Sequence, residues 1–576
     1  MVMHRTETAS VLVIGSGAAG WRAAIAATET GVEARILAKR PLMDAHTVLA
    51  SGGINAALGT RDPEDSWEQH FADTLREGYF LGDPRMVEML ARESPAAVQE
   101  LADWGCEFAR TDDGRLEQRF FGAHRWRRTC FAGDFTGRAI QGTVARRGAE
   151  LGIRVDEDQY VSRLLVADGT CFGALAFDLR TGERTAFLAD AVILATGGHT
   201  RIWRRSSSRR DENYGDGLRL ALVAGCRLMD MELVQFHPTG MVHPEEAAGT
   251  LVTEAVRGEG GRLLNALGER FMERYDPDRL ELSSRDIVAL ANYTEIAEGR
   301  GGPHGGVFLD VSHRGKQHIT ERLPRMYRQF IEWQMLDISR EPMEVAPTAH
   351  YSMGGIVADP ETHATDVRGL YAAGECVGGL HGANRLGGNS LGEALIAGRR
   401  AGQAAAAYSS ETEVFRRSRP VIDDALAELD ALTRPGSELA RPLQRRLRDT
   451  MWESCGVVRT EAGLRAGLDG VAALREAAES VDVQPGAEGW TDVAQALDLR
   501  AGLIAAEATL RSAIERRETR GAQIRSDFEK LDPDLRVNFY VDARMAPWPE
   551  PVPPVPAELL ALTEQPVELS AGRLLE

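Results

Sequence analysis

The sequence predicts a doubly wound α/β fold with a helical region after it. The first observation is the stretch VLVIGSGAAGWRAA, in which an apolar run leads into Gly15-x-Gly17-x-x-Gly20 and then into residues of good helix propensity. The second is the apolar run at 34–38, which reads as the next strand of such a fold. The third is a change of composition after about residue 410, beyond which apolar residues recur every three or four positions.

The glycine motif predicts a site for a pyrophosphate group, as in Rossmann-like domains. A strand, a glycine turn and a helix start, in that order, leave backbone N–H groups free and aim the positive end of the helix dipole at one point. A glycine-rich turn that only packs a strand on a helix would give the same pattern, so the motif alone leaves both interpretations open. The residues predicted to contact a cofactor here are Gly15, Ser16, Gly17, Ala18, Ala19 and Gly20.

The composition limits the classes of protein to which the chain could belong. With 576 residues it is too long for one core, and we expect three or four domains. A formal net charge of -19 argues against nucleic acid or an anionic membrane surface as a partner. The six cysteines include no C-x-x-C pair, so the sequence predicts reduced thiols in the cytoplasm and no metal site. Without a signal-peptide pattern or an 18-residue apolar run, we expect no direct membrane insertion.

The residues after the second strand depart from the NAD-binding pattern. About 20 residues beyond the glycines, an acidic side chain usually holds the ribose of NAD. Lys39 and Arg40 stand there instead, which disfavours NAD. Further apolar runs at 161–176 and 187–195 read as strands of the same domain.

The segment 44–59, DAHTVLASGGINAALG, resembles a known family. His46 precedes a glycine pair that lets backbone approach a flat or charged group, although a single histidine is more often only structural. HTVLASGGI closely resembles the run SHTVAAQGGI of the flavoprotein subunits of succinate dehydrogenase and fumarate reductase. In that family the histidine is bonded covalently to the 8α position of FAD. The resemblance therefore implies an FAD attached through His46 and contacted by Thr47 and Gly53, although Asp-Ala precedes the histidine here in place of the usual Arg-Ser.

The segment 104–137 bears on the substrate. Read alone, its Arg125, Arg127 and Arg128 indicate an exposed basic loop. In the related L-aspartate oxidases, a glutamate that receives the substrate amine stands at the position of Phe121. An aromatic ring leaves an ammonium group desolvated, so Phe121 favours a dicarboxylate without an amine.

Five further stretches match the same family in order: ELVQFHPTG, LVTEAVRGEGG, LSSRDIVA, PTAHYSMGGI and LHGANRLGGNSLGEA. Each taken alone has an ordinary interpretation, as a capping threonine, a surface arginine or a core histidine. The resemblance implies that His237 and Thr253 hold one carboxylate of the substrate, and that His350 and Arg385 hold the other. These residue types suit the task, because arginine pairs with carboxylates in two-pronged fashion and His and Thr donate hydrogen bonds.

The resemblance also implies a mechanism. A hydride passes between flavin N5 and one carbon of the substrate, Arg285 gives a proton to the other carbon of fumarate, and Arg257 and Glu254 relay protons from solvent. An arginine acid is unusual because its pKa normally exceeds 12, and the residue types alone would have favoured a histidine.

Three more motifs extend the predicted cofactor set. YGDG resembles the TGDG turn whose Asp, here Asp216, contacts the cofactor, although Gly-Asp-Gly alone is a common turn. GLYAAGECVGG resembles the second flavin motif, in which Glu375 binds the adenosine ribose. Ser390 and Leu391 begin an alanine-rich helix whose N-terminus is expected to face the isoalloxazine. Lys39 completes the predicted contacts.

The resemblance covers about 11–528 and implies a domain order. An FAD-binding domain is interrupted by an α+β capping domain and followed by helices. A proline-rich run at 547–556 is expected to form an extended linker or strap. The predicted domains are 1–240 and 345–412 for FAD binding, 241–344 for the cap, 413–525 for the helices and 526–576 for the tail.

Three functional hypotheses follow. The first is a flavoprotein subunit that interconverts fumarate and succinate and exchanges electrons with an iron–sulfur protein subunit, with or without a membrane-anchor subunit, in the cytoplasm or on the cytoplasmic face of a membrane. The second is a soluble L-aspartate oxidase-like flavin oxidase, since VQFHPTG, EAVRGEGG and SRDIVA suit it almost equally well. His46 and Phe121 speak against it. The third is a catalytically silent assembly or electron-carrier scaffold, which the intact set of Arg and His disfavours.

Overall fold

The computed structural model describes residues 4–412, 417–486 and 489–563, and its centre is a seven-stranded sheet. The first strand, Arg5–Ile14, is parallel to both of its neighbours, so the glycine motif follows the carboxyl end of an inner strand. Ligands of doubly wound folds bind at that end of the sheet. Across the sheet the strands are Arg154–Asp156, Ala34–Leu37, Arg5–Ile14, Arg184–Leu194, Thr170–Asp178 and Gln159–Ala167, with Leu370–Ala372 beside the end of Arg184–Leu194. The predicted α/β fold is confirmed.

The sheet is apolar on both faces. Val11 and Val13 of the first strand pack into one core, whereas Leu12 and Ile14 pack into a second core. This alternation follows from the two-residue period of a strand. The described α-helices are Ala18–Glu29, Trp67–Glu77, Pro84–Asp103, Thr136–Glu150, Asp216–Ala224, Ala255–Gly258, Met272–Tyr275, Arg285–Ala297, Lys316–Arg322, Pro324–Gln334, Asn389–Glu411, Arg419–Ala431, Ala440–Ser454, Glu461–Ala478, Thr491–Glu515 and Ala557–Thr563.

One strand predicted from the sequence is in fact two. Over 161–176 the structure has Gln159–Ala167 and Thr170–Asp178, which pair antiparallel. They are joined at Asp168 and Gly169, which have φ of 51° and 69°. Two positive φ angles are typical of a type I′ hairpin turn, for which Asp-Gly is a favoured sequence. The turn signal was present but lay inside a long apolar run.

The segment expected to be an exposed basic loop contains a buried arginine. Arg128 is fully buried, and its Nη2 lies 2.8 Å from carboxylate oxygens of both Asp65 and Asp73. The expectation was therefore wrong for this residue, because its two acidic partners precede it by more than 50 positions and show no link to it in the sequence.

The helix of the glycine motif crosses a second helix at short range. Ala18–Glu29 packs against Asn389–Glu411, and both are rich in small residues. A Cβ atom on Gly402 would lie 2.2 Å from the carbonyl oxygen of Ala23. The close crossing therefore depends on the absence of a side chain.

We expect Gly402→Ala to lower the free energy of unfolding by about 1–3 kcal/mol, because the added methyl group must push the two backbones apart. Gly142→Ala is the matched control in helix Thr136–Glu150. Its Cβ would approach only Met43, at 4.0 Å, so it should leave stability unchanged or improve it. Urea unfolding of the two variants measures the difference, and equal stabilities would contradict the packing argument.

The capping region is built on a second sheet, which is antiparallel. Its strands are Val234–Met241, Met343–Ser352, Val307–Asp310 and Arg262–Leu264. An apolar core of its own runs from Met241 to Val345 in the sequence. The predicted domain boundaries stay predictions, and this separate core supports the two at 241 and 344.

The chain returns to the middle of the molecule after the last long helix. Val537–Val541 pairs antiparallel with Leu228–Met229, and Trp548–Pro551 forms the edge of that sheet, where proline is tolerated. The following helix, Ala557–Thr563, packs on Trp67–Glu77. The remaining short strands are Gly355–Ile356 in the same sheet, the pair Val458–Arg459 and Ile524–Arg525, and the set Ile54–Asn55, Thr129–Cys130 and Gln118–Arg119. Across the described ranges, no helix combines the length and apolar character needed to cross a membrane.

Candidate active site

One cavity brings together most of the side chains singled out in the sequence. It is lined by the glycine motif, by the short turn His46–Leu49 and by side chains of the capping sheet. The predicted site residues that line it are Gly15, Ser16, Gly17, Ala18, Ala19, Lys39, His46, Thr47, Gly53, Phe121, Asp216, His237, Thr253, Glu254, Arg285, His350, Glu375, Arg385, Ser390 and Leu391. Two predicted residues, Gly20 and Arg257, lie outside its wall.

The glycines of the motif have two different roles: Gly15 and Gly17 line the cavity, whereas Gly20 packs the helix on the strand. A Cβ on Gly20 would lie 1.9 Å from the carbonyl oxygen of Gly15, so Gly20 allows the helix to pack on the strand and does not contact the cavity. Its predicted role as a cofactor contact is therefore corrected. Gly15 has φ of 115°, which favours glycine. The backbone N–H of Ala18 donates to the hydroxyl of Thr47 over 3.1 Å, which joins the loop to the turn that carries His46.

At one end of the cavity, Lys39 is held by carboxylates. Its Nζ lies 2.8 Å from Oδ1 of Asp498 and 3.6 Å from Oδ2 of Asp216. The hydroxyl of Tyr160 also donates to Asp498, over 2.8 Å. Burial, opposed by Lys39, raises the pKa of Asp498 to about 6. Asp498 was not predicted, because it lies in helix Thr491–Glu515 with no motif around it.

His46 has a buried carboxylate as its partner. Its Nδ1 lies 2.8 Å from Oε1 of Glu212. Burial opposes ionisation of Glu212, but the charge and hydrogen bond of His46 outweigh it and lower the pKa of Glu212 to about 2. The ionised carboxylate accepts the hydrogen bond from Nδ1 and so orients the ring, with Nε2 directed away from Glu212. Glu212 was not predicted, because nothing in the sequence links it to a residue so far away.

Two histidines face each other at the other end of the cavity. His237 lies on strand Val234–Met241 and His350 on the adjacent strand Met343–Ser352, with ring centroids 5.2 Å apart. The strand register shifts at His350, so a β-bulge leaves it without a partner residue opposite. Burial, assisted by the nearby positive charges, lowers the pKa of both imidazoles well below the usual value. Both rings are neutral at pH 7 and donate one hydrogen bond each.

Hydrogen bonds fix how each ring is presented. Nδ1 of His237 lies 3.2 Å from both the backbone N–H and the carbonyl oxygen of Thr239, which hold this side of the ring. Nδ1 of His350 lies 2.9 Å from the hydroxyl of Ser207. Thr253 is buried beside them on the cavity wall.

Arg285, Glu254 and Arg257 form a continuous chain of charges. Arg285 is the first residue of helix Arg285–Ala297, and its Nε and Nη2 donate to Oε2 of Glu254 over 2.9 and 2.7 Å. Nη2 of Arg257 lies 3.7 Å from the same oxygen. Although burial opposes it, the two guanidinium charges lower the pKa of Glu254 to about 2. The carboxylate is therefore ionised and pairs with the guanidinium of Arg285.

Gln235 joins the two cavity arginines. Its Oε1 accepts from Nη1 of Arg285 over 2.9 Å and from Nη2 of Arg385 over 3.2 Å. The guanidinium of Arg385 also lies 4.3 Å above the ring of Tyr351, and burial lowers the pKa of Arg385 to about 10. Gln235 was not predicted, yet a signal existed. It stands two residues before His237 on one strand, so the two share a face.

Phe121 closes the wall between these groups and the glycine pair. It is 2% exposed, and a Cβ on Gly52 would lie 2.7 Å from its ring. Glu254, whose carboxylate lies close to Phe121 around Gly387, is already bound to Arg285 and to the N–H of Gly122. It is therefore not free to pair with an ammonium group beside Phe121.

Family comparisons identify the class of protein. Residues 10–391 match the family described as FAD binding domain, and residues 444–543 match the family described as the C-terminal part of fumarate reductase flavoprotein. The chain belongs to the fumarate reductase and succinate dehydrogenase flavoprotein family. It is an FAD-dependent oxidoreductase.

Individual members of this flavoprotein family are similar over nearly the whole chain. One subunit of the fumarate reductase (CoM/CoB) of Methanothermobacter marburgensis is 43% identical over 93% of this chain and 97% of its own length. The succinate dehydrogenase flavoprotein subunit of Rickettsia bellii is 37% identical over 90% of each chain. A solved structure of the quinol fumarate reductase of E. coli has a TM-score of 0.89 at 33% identity and covers 95% of this chain and 96% of its own.

The cavity of this flavoprotein fits an FAD. The glycine loop offers backbone N–H groups without side chains in the way, and helix Asn389–Glu411 begins at the cavity wall, with Ser390 in its first turn. The positive ends of two helix dipoles therefore face the cavity. Burial raises the pKa of Glu375 to about 7, and this carboxyl accepts from the N–H of Ser352 over 3.1 Å. The ribose contact of Glu375 stays a prediction.

A second opening, which we call the arginine cleft, adjoins the cavity of the flavoprotein. Met43, Val48 and Leu49 line it beside His46, and Ser207 lines both openings. The cleft is strongly basic in a chain of net charge -19. Its arginines are Arg138, Arg201, Arg204, Arg205, Arg209, Arg210, Arg325, Arg328, Arg441, Arg445, Arg446 and Arg448.

Proposed function

We propose that this chain is the flavoprotein subunit of an enzyme that interconverts fumarate and succinate. One observation carries the proposal: His237, His350, Arg285 and Arg385 line the same end of a cavity whose other walls carry the glycine motif and His46. Two neutral donors and two guanidinium groups suit a four-carbon acid with a carboxylate at each end. The L-aspartate oxidase alternative is not favoured by the named relatives.

The substrate is held by groups from both domains. His237 and Thr253 bind one carboxylate, and His350 and Arg385 bind the other. Gln235 keeps the two guanidinium groups apart and oriented, since it accepts a hydrogen bond from each. A substrate fixed at both ends presents its two central carbons in one orientation, which supplies much of the rate. FAD, when bound, supplies the hydride acceptor and donor.

Arg285 gives the proton to the substrate carbon in fumarate reduction. Glu254 pairs with Arg285 in the resting enzyme, and Arg257, which lies outside the cavity wall, has its Nη2 3.7 Å from the same carboxylate oxygen. The proton lost from Arg285 is replaced through Glu254, which accepts a proton only in passage because its pKa is about 2. Water is excluded from this path by burial of all three side chains.

Dye-linked assays test the proposed function. With reduced viologen as electron donor, the FAD-loaded protein should reduce fumarate, and with an artificial acceptor it should oxidise succinate. L-aspartate should give no turnover, because Phe121 and its surroundings provide no partner for the amine. Oxidation of L-aspartate by oxygen, without fumarate reduction, would overturn the assignment in favour of the oxidase.

We further propose that FAD is covalently attached through His46. Glu212 at Nδ1 makes Nε2 the nucleophilic nitrogen, and His46 lines the FAD cavity. Acid precipitation of the wild-type protein should leave yellow, fluorescent flavin on the chain, whereas His46→Ala should release all of it. His313→Ala, at an exposed turn of the cap, is the control and should behave as wild type. Flavin released by acid from the wild-type protein would rule out the bond.

Electrons are proposed to pass to an iron–sulfur protein subunit, which a membrane-anchor subunit joins in those enzymes that have one. The arginine cleft supports this because it opens beside His46 and its charge attracts an acidic protein. Arg445→Glu combined with Arg446→Glu should weaken capture of a cluster-bearing partner and reduce the salt dependence of the association. Dye-linked fumarate reduction should be retained. If partner capture and dye-linked fumarate reduction were lost together, the substitutions would have damaged the fold instead.

A further inference from the structure

A group of three potential metal ligands lies in the cap, apart from the FAD cavity. His243 follows strand Val234–Met241, His304 precedes strand Val307–Asp310, and Glu344 is on strand Met343–Ser352. Each offers a ligand atom, and these atoms lie within 4.8 Å of one another. Within the ranges that the structure describes, no other His, Cys, Asp and Glu side chains form such a group. This group was not predicted from the sequence, because its three residues share no motif.

The carboxylate of this group is fixed in place. Oε1 of Glu344 accepts from the backbone N–H groups of His304 and Gly306, both over 2.9 Å. Oε2 lies 2.7 Å from Nδ1 of His304. Glu344 is 5% exposed, and its ion-pair partner is this histidine. A nearby guanidinium, that of Arg205, binds the carbonyl oxygen of Gly305 over 3.4 Å. A carboxylate that binds a metal is usually itself held in place by hydrogen-bond donors, as Glu344 is here by two backbone N–H groups.

The two imidazoles are close enough to share an ion. The rings of His243 and His304 stack with centroids 4.0 Å apart and planes 28° apart. Zinc–ligand bonds of about 2.0–2.1 Å place ligand atoms roughly 3.4 Å from each other, so atoms that now lie up to 4.8 Å apart must approach by as much as about 1.4 Å, and one ring must turn. His304 is exposed and His243 half-buried, so neither ring is locked by a core.

We propose that His243, His304 and Glu344 form a binding site for a divalent transition metal of the zinc class. Two imidazole nitrogens and one carboxylate oxygen suit Zn²⁺, whereas Mg²⁺ and Ca²⁺ require mostly oxygen ligands. The site lies in the arginine cleft, which His243 and His304 both line. His243 belongs to the segment between His237 and Thr253. A bound ion therefore links this segment, which has the proposed substrate-binding residues His237 and Thr253 at its ends, to the rest of the capping sheet.

Metal titration of the FAD-loaded, chelator-washed protein tests the proposal. In competition with a chromophoric chelator, the wild-type protein should bind one Zn²⁺ that His304→Gln binds at least about tenfold more weakly. His243→Gln should show the same loss and serves as a second variant that leaves the buried carboxylate intact. His318→Gln is the matched control, because His318 pairs with Glu259 elsewhere in the cap.

Thermal unfolding gives an independent readout. Zn²⁺ should raise the unfolding midpoint of the wild-type protein and of His318→Gln, and it should not raise that of His304→Gln or His243→Gln. Equal zinc affinity in the wild-type protein and both cluster variants would overturn the proposal and would assign the ion to another place, such as the pair His237 and His350.

Discussion

Arg285→Gln is expected to lower kcat for fumarate reduction by about 100- to 10,000-fold, the range typical of a lost proton donor. Glutamine cannot supply the proton, and it leaves the carboxylate of Glu254 without its closest cation. The remaining charge of Arg257, at 3.7 Å, compensates only in part, so the pKa of Glu254 should rise. Steady-state dye assays measure kcat. In the pH profile of the residual activity, the limb that reflects ionisation of Glu254 should move to higher pH.

Two companion variants separate chemistry from folding. Arg270→Gln removes another arginine of the cap, which binds Glu281 outside the cavity, and should leave kcat unchanged. Arg285→Lys keeps the charge but loses the two-pronged contact with Glu254, so it should recover part of the activity. Flavin content and its visible spectrum should be normal in all three. A fully active Arg285→Gln would exclude this residue as the proton donor.

Arg516→Met is expected to have the largest effect on stability, a loss of about 3–5 kcal/mol in the free energy of unfolding. Arg516 is fully buried and contacts three buried carboxylates. Its guanidinium lies 2.7 Å from Glu232, 3.2 Å from Glu518 and 3.5 Å from Asp230. Methionine fills similar volume but removes the positive charge beside Glu232 and Asp230, whereas Glu518 keeps its ion pair with Arg520. Denaturant unfolding, or a failure to accumulate folded protein, measures the loss.

An exposed arginine on helix Thr491–Glu515, which ends immediately before Arg516, is the control. Arg511 has a side chain that is 42% exposed and pairs with Glu507 at 2.8 Å. Exposed pairs of this kind contribute about 0–1 kcal/mol, so Arg511→Met should be nearly neutral. Equal losses in the free energy of unfolding for Arg511→Met and Arg516→Met would show that the buried ion pairs of Arg516 contribute no more to stability than an exposed pair does.

The pH dependence of the Arg516 defect has a definite sign. Burial, and then the charge of Glu232, raise the pKa of Asp230 to about 7 even with Arg516 present. The folded state therefore binds more protons than the unfolded state from about pH 4 to 7, and this contribution to stability falls as the pH rises. Without Arg516 the pKa of Asp230 moves higher still. The deficit of Arg516→Met should be smaller at pH 6 than at pH 8.

The active-site residues could be predicted from the sequence because they lie within motifs that occur in the same order as in one known family. His237, His350, Arg285 and Arg385 each lie within a stretch that resembles one family, and the fold brings them to one cavity. The predicted position of Arg285 at a helix start is also confirmed. The site roles themselves await the variants above.

The missed residues share a physical cause. Glu212, Asp498 and Gln235 act on predicted residues through contacts that only the folded chain creates. Local patterns do not report such partners, and Glu212 and Asp498 have no unusual neighbours in the sequence. The hairpin at Asp168 was missed for a different reason, since an apolar run masked its turn signal. Gly20 was predicted to contact the cofactor, but the absence of a side chain there lets the helix pack closely on the strand.

The contact between Lys39 and Asp498 has a consequence for how this flavoprotein matures. It makes the helix Thr491–Glu515 a support for one wall of the cavity that fits FAD, so flavin binding in that cavity and docking of the helix should reinforce each other thermodynamically. A chain awaiting its flavin should open more often in the helical region, where proteases would cut first. Protease sensitivity of a helix that begins more than 450 residues after the glycine motif should therefore report whether the flavin is bound.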